Sequence, residues 1–304
     1  MAEEKGRILL LNSIYCIEIS CKRVLIICTN YIYIYCLKSY EELKSIECED
    51  NNYDGLVTPD EKMLFVMTNQ GLKQYSLPDL SFLNVIESTS NGYGLEMIKK
   101  MNRIIFSDNK HLFVFNFRTF EVIKLEKIPT DFIFSIVSTL DEKYFFTAEL
   151  DLRLKKWSTD TWDIEKSVSL SSAAYTLFVK ENSKTLYVGL DGGYLSEFTI
   201  KDLSLLRNIH LHNKWIRKII RLKSGDVMTC SEDGHIKFPF SEIQPIKTSG
   251  NNLNSIIELS DKTIACCYSD SVHILTISEK HLLKTRSNLI KYSKRRIYSN
   301  FCLY

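Results

Sequence analysis

No apolar run in this 304-residue chain approaches the roughly 20 residues needed to span a bilayer. No stretch gives a helix signal of two turns or more, and no low-complexity linker interrupts the chain. The nine cysteines include no C-x-x-C pair, which removes the usual zinc and dithiol motifs. Their odd number, and a charged rather than apolar start (Met1-Ala2-Glu3-Glu4-Lys5), favour a reducing, intracellular setting, cytoplasmic or nuclear. Several sit inside strand-like runs, as in Ile26-Ile27-Cys28 and Ala265-Cys266-Cys267-Tyr268, where a thiol serves as a small buried hydrophobe. Glycine is scarce, at 11 residues, and its densest cluster, Asp191-Gly192-Gly193, is a hairpin turn rather than a phosphate-cradling loop. Of six histidines only His210 and His212 lie close together, with no third ligand nearby, so neither metal nor other cofactor is expected. A formal charge of +2 is too small to announce nucleic acid or an anionic membrane.

What is present is a phrase repeated seven times: an aliphatic residue, two variable ones, then usually an aromatic, just after a turn. It reads Ile32 to Tyr35, Leu72 to Tyr75, Leu112 to Phe115, Leu154 to Trp157 and Leu195 to Phe198, then fades to Ile236 to Pro239 and Val272 to Leu275. The first positions are separated by 40, 40, 42, 41, 41 and 36 residues. A period near 40 filled with short strands predicts propeller blades arranged in a ring. With 45% hydrophobic residues the chain can bury roughly three quarters of its unfolded surface as one closed array.

Each unit divides into four strands. In the second, Gly55-Leu56-Val57 ends a first strand, Thr58-Pro59-Asp60 begins a turn, and Met63 to Met67 forms an apolar second strand. Leu72 to Leu77 makes a third strand and Phe82 to Glu87 an outer fourth. The turns after the other second strands hold Asn30, Asp108-Asn109, Asp151, Asp191-Gly192-Gly193, Asp233-Gly234 and Asp270, residues that tolerate tight hairpins. The fold class is therefore all-β: one seven-bladed propeller over residues 1–287, with four antiparallel strands per blade. Its blades run about 13–50, 51–90, 91–130, 131–172, 173–213, 214–250 and 251–287, and a basic, aromatic tail follows at 288–304. An open ring would expose sheet edges. The strand-like segment Arg7 to Leu11, ahead of blade 1, is expected to complete the last blade as its outer strand; the alternative is His281 to Arg286.

These repeats resemble the WD40 family across essentially the whole chain. Blade 6 matches best, with His212, Trp215-Ile216, the turn Lys223-Ser224-Gly225-Asp226, Val227 to Ser231 and Asp233-Gly234-His235-Ile236-Lys237; blade 4 supplies a terminal Trp at Trp157. Trp-Asp appears only as Trp162-Asp163 in another register, and blade 6 has Pro239 in the Trp place. The resemblance implies a structural hydrogen-bond chain through His212, Ser231 and Asp233. That reading outweighs a catalytic triad, because no nucleophile-elbow signature accompanies the three.

The resemblance also implies a non-catalytic scaffold for other proteins, a subunit of a larger complex with no small-molecule substrate. Competing readings are a lactonase- or esterase-type propeller enzyme and binding of RNA or anionic lipid. The last rests on two stretches without acids: Arg207, Lys214, Arg217, Lys218, Arg221 and Lys223 between Asp202 and Asp226, and the chain from His281 onward. An acidic protein surface suits them better than nucleic acid. Trp215 with Arg217, Lys218 and Arg221 combines the residue types of binding hot spots and is the expected protein-binding surface.

Overall fold

The computed structural model describes residues 3–9, 13–19, 23–88, 92–109, 111–125, 132–180, 184–248, 252–259, 263–269 and 271–276. They form seven four-stranded antiparallel sheets arranged as a seven-bladed β-propeller. Among them helix is confined to short 3-10 turns such as Lys99–Met101 and Asp191–Gly193. The innermost strands of blades 1 to 7 are β2 (Ser13–Ile19), β6 (Asn52–Val57), β10 (Leu95–Ile98), β14 (Ile133–Ser138), β18 (Ala174–Lys180), β22 (Ile216–Arg221) and β26 (Leu253–Glu258). The second and third strands of the last blade are β27 (Thr263–Tyr268) and β28 (Ser271–Thr276).

The repeated phrase lies on the third strand of each blade, and both its ends are buried. Positions one and four of a strand point to opposite faces of the sheet. A blade packs between two neighbours, so neither face meets water. Leu72 joins a cluster with Leu95, Phe106 and Phe115 of blade 3, whereas Tyr75 joins Ile27 and Ile34 of blade 1. Leu154 packs forward against Leu186 and Val188 of blade 5, whereas Trp157 packs back against Ile105 and Leu112 of blade 3. The aliphatic thus seals the interface ahead and the aromatic the one behind. Blade 6 departs from this: Pro239 replaces the aromatic, and without a proline N–H to donate the third strand stops at Lys237.

The ring closes as the sequence predicts. β1 (Glu3–Leu9) pairs antiparallel with β28, from Glu3 opposite Thr276 to Leu9 opposite Ser271, and is the outer strand of the last blade. The segment begins four residues before the predicted Arg7, and Leu10 and Leu11 fall outside the described residues. The alternative closing segment 281–286 and the tail 288–304 also lie outside them. Blade 7 then packs on blade 1 through Val24, Ile26 and Tyr35 against Cys267, Val272 and Ile274.

A second periodicity is carried by the backbone. Tyr40, Leu80, Phe120, Trp162 and Leu203, one per blade in blades 1 to 5, take positive φ of 53° to 62° in the turn before the outer strand. Glu61, Asn102, Glu142 and Lys184 do the same after the first strand, where blade 6 has Gly225. A left-handed residue other than glycine costs on the order of 1 kcal/mol. Here a bulky side chain at that place is fixed by packing: Trp162 lies 6.1 Å from the Phe145 ring and under the Arg103 guanidinium.

Because among the described residues β1 alone forms the outer strand of blade 7, deleting residues 1–9 should destabilise the whole propeller. Losing its ladder should cost about 3–6 kcal/mol at about 1 kcal/mol per hydrogen bond. In a melting experiment that is a fall on the order of 10 °C. An unchanged melting temperature would show that another segment closes the ring.

Candidate functional site

The inner strands line a central channel, and a bulge shapes its mouth. Near the start of β6, Asn52 pairs with Thr68 and Asp54 with Met67, so Tyr53 is an extra residue in the ladder. The same slip makes Ile14, Phe134, Tyr175, Arg217 and Asn254 extra residues in blades 1, 4, 5, 6 and 7. In blade 3, Gly94 O accepts from Ser107 N–H and Tyr93 stands at the corresponding place. A bulge re-aims the side chain it inserts. In blades 2 to 7 it turns one residue per blade toward the same opening.

In blades 2 to 5 that residue is aromatic, and the rings form a continuous arc. Tyr53 and Tyr93 are 4.8 Å apart, Tyr93 and Phe134 5.8 Å, and Phe134 and Tyr175 4.6 Å. Tyr175 stacks on Trp215 at 4.3 Å and 11°. Arg217 closes the arc, its guanidinium 4.8 Å from the Trp215 ring while its Nε–H donates to Glu232 Oε1 at 2.7 Å. All five aromatics are half-buried.

Beneath the arc lies a cavity of about 650 Å³ lined by residues of six blades. The position after the bulge carries Asp54, Ser135, Thr176, Lys218 and Ser255, a polar belt at one level. Glu96 of blade 3 lies deeper, and its Oε1 accepts from the N–H and the hydroxyl of Ser138 at 3.0 and 2.5 Å. Burial pushes the Asp54 carboxyl up to about 6; Lys218 opposes that rise and Glu96 adds to it. Glu96 is raised by burial as well.

The expected surface is divided by this geometry. Trp215, Arg217 and Lys218 stand together at the mouth and in the channel. Arg221 is exposed at the opposite end of β22, roughly 13 Å along the strand from Arg217. Arg217 is ion-paired with Glu232, and the basic run around it is likewise distributed, with Arg207 paired to Glu197 and Lys223 Nζ donating to Leu259 O. The aromatic arc itself escaped the sequence reading. Its signal was there: Tyr53, Tyr93, Phe134 and Tyr175 are spaced by 40, 41 and 41 residues, the blade period itself.

The structural chain of blade 6 exists, with one change of member. Buried His212 places Nδ1 3.0 Å from Asp233 Oδ2 and Nε2 2.9 Å from Thr229 Oγ1. The strand hydroxyl is therefore Thr229 rather than Ser231. Two residues apart, both point to the same face, but Ser231 sits one step nearer the turn, where it donates to Lys214 O and accepts from Asp233 N–H. At the equivalent strand position of blade 4, Thr147 accepts from Trp157 Nε1–H at 3.0 Å and donates to Glu149. A His-to-Thr half in blade 6 and a Trp-to-Thr half in blade 4 are thus separated by a blade. His210 is exposed against the Tyr194 ring, away from buried His212.

Burial holds His212 down at about 4, although Asp233 favours the charged ring. The unfolded chain binds that proton near its ordinary value of 6.5, so the stability tied to a neutral His212 is complete above it and is lost as pH falls toward 4. His212→Gln should melt lower than wild type near neutral pH, by about 1–3 kcal/mol. It should also lose less further stability than wild type on acidification through that window. An equal acid dependence in the two proteins would show that His212 is not held neutral.

No protein-family model matches this chain, and no curated protein resembles it closely enough to be counted a relative.

Proposed function

We propose that this propeller is a non-catalytic scaffold of the WD40 type that docks other proteins at the aromatic mouth of its channel, as a subunit of a larger complex. The aromatic arc carries this reading. Half-buried Tyr and Trp rings on a rigid frame offer large contact area at little entropic cost, which is what interface anchors need. They sit where blade-connecting loops enter the inner strands, and loops on a fixed scaffold are where recognition residues concentrate. Support for the WD40 assignment comes from the His212–Thr229–Asp233 set and the Trp157–Thr147 bond, which together hold the members of that family's hydrogen-bond chain.

A protein partner is favoured over nucleic acid because two cations of the basic run are already engaged by acids, Arg217 at the mouth by Glu232 and Arg207 on the outer strand of blade 5 by Glu197. Phosphate binding depends on cations available to replace counterions. An intracellular setting fits the buried free thiols Cys28 and Cys230; burial raises Cys28 to about 12, which keeps it protonated and inert. Among the described residues no helix is long and apolar enough to cross a membrane.

The test is affinity capture followed by mass spectrometry with the double variant Tyr93→Ala/Tyr175→Ala. Truncating hot-spot rings should cost about 2 kcal/mol or more of binding and remove the specific partners. Melting should stay within roughly 5 °C of wild type. Leu83→Ser, on the exposed outer strand of blade 2, should keep every partner. Full partner recovery by the folded double variant would remove the channel mouth from consideration.

A further inference from the structure

We propose that the open outer edge of blade 1 is the docking surface for this chain's own basic segment, residues 277–304. The outer strand of blade 1, β5 (Glu42–Glu47), pairs with the third strand, β4 (Tyr31–Cys36), and among the described residues its other side pairs with nothing. A bare edge of this kind is a template for another strand. A bulge makes Leu43 an extra residue in β5, and it is 49% exposed. Tyr31, paired opposite Glu47, stacks on Tyr33 at 5.6 Å and is also exposed. The edge thus offers backbone groups, a leucine and a tyrosine to one occupant.

Its charge is one-sided. Residues 41–49 hold Glu41, Glu42, Glu47 and Glu49, all exposed, against Lys44 alone. None of the four glutamates is ion-paired; Glu42 accepts from the Ser45 hydroxyl at 2.5 Å and Glu47 from the Tyr31 hydroxyl at 2.9 Å. The neighbouring Asp50 is different, being buried and held by Lys73. Counted from the residue before each outer strand to the second after it, blade 1 carries four acids and one base, or −3. Blades 2 and 4 carry −1 each on the same count, and no other blade is negative. An occupant of this edge is therefore basic.

The chain supplies one where it leaves the propeller. β28 ends at Thr276, in the blade that packs directly on blade 1. The 28 residues that follow lie outside the described residues; their sequence holds seven lysines and arginines against Glu279, a formal +6. The place His281 to Arg286 would have taken in blade 7 is filled by β1. Fully extended, such a length reaches roughly 90 Å, so charge rather than reach decides where it docks. The edge of β1 itself has two acids and two bases, which leaves blade 1 as the complementary surface. Tyr292, Ile297 and Tyr298 stand among Lys291, Lys294, Arg295 and Arg296, so apolar groups can meet Leu43 and Tyr31 while cations meet the glutamates. Exposed ion pairs are individually weak and screened by salt, and the contact inherits that dependence.

The experiment treats the full chain with a carbodiimide, which joins a lysine amine to a carboxylate in contact with it, and maps the links by mass spectrometry. Lys284, Lys291 and Lys294 should link to the glutamates of residues 41–49 at least about tenfold more than to Glu87 or Glu165 on other outer edges, and the yield should fall about tenfold between roughly 0.05 M and 0.5 M salt. Hydrogen exchange gives a second readout: amides of residues 42–47 should exchange at least about tenfold faster in Lys291→Glu/Lys294→Glu/Arg295→Glu/Arg296→Glu than in wild type. Melting curves check that the variant folds, and the cross-links on wild type need no variant. A mixture of isotopically light and heavy chains separates links within a chain from links between chains. Equal linking to the control glutamates, links only between light and heavy chains, or unchanged exchange in the folded variant would each overturn the proposal. The second of these would make a second copy the occupant.

Discussion

The pairing of β1 with β28 is the constraint on which the rest of the molecule depends. Every other strand pair among the described residues joins neighbours in sequence, and each can form from a local hairpin. This one joins opposite ends of the described chain. Six of the blade interfaces can assemble in series. The seventh, Val24, Ile26 and Tyr35 against Cys267, Val272 and Ile274, exists only in a closed ring. The chain from β1 into β2 completes blade 7 and then begins blade 1, so one short segment is latch and link together. Without it, β28 would present a bare edge, the form in which sheets aggregate.

Closure also defines the channel, and the channel gives the bulges their meaning. A bulge on an isolated sheet merely bends a strand. Repeated on inner strands that face one axis, it collects one side chain from each of blades 2 to 7 at a single opening. The character of the mouth then follows from what occupies that position: aromatic in blades 2 to 5, Arg217 in blade 6 and Asn254 in blade 7. The arc is therefore one-sided. A partner or ligand meets rings on one side and polar groups on the other, which fixes its orientation as well as its location.

The fold was legible in the sequence because its signal is redundant. Leu72 and Tyr75 each seal a different interface, so the constraint on the phrase is doubled and repeats in every blade. The latch could be read because Arg7 onward is strand-like yet has no place in blade 1. Other features follow from contacts that spacing does not reveal. The left-handed positions Tyr40, Leu80, Phe120 and Trp162 are none of them Gly, Asn or Asp, the residues that announce such a conformation, and at Trp162 it is packing on Phe145 and Arg103 that fixes the side chain. Thr229 and Ser231 share a strand face, and only depth decides which one reaches His212. The basic run from Arg207 to Lys223 looked like a patch because its partners, Glu197 and Glu232, come from neighbouring strands.

The charges in the channel are not required by the fold. At the level of Asp54 and Lys218, the other blades place Ser135, Thr176 and Ser255, and blade 3 has Gly94; all satisfy the same bulge geometry without charge. Nor does Asp54 serve stability under neutral conditions. Its folded-state value of about 6 lies above the ordinary 3.8, so its contribution is complete below 3.8 and is lost as pH rises through 6. His212 has the opposite sign, being lost as pH falls from 6.5 toward 4, as suits a residue that belongs to the frame. One ionisable group supports the structure at neutral pH and the other burdens it. Buried His212 thus belongs to the frame, whereas half-buried Asp54 faces the channel and is carried by the frame near neutral pH.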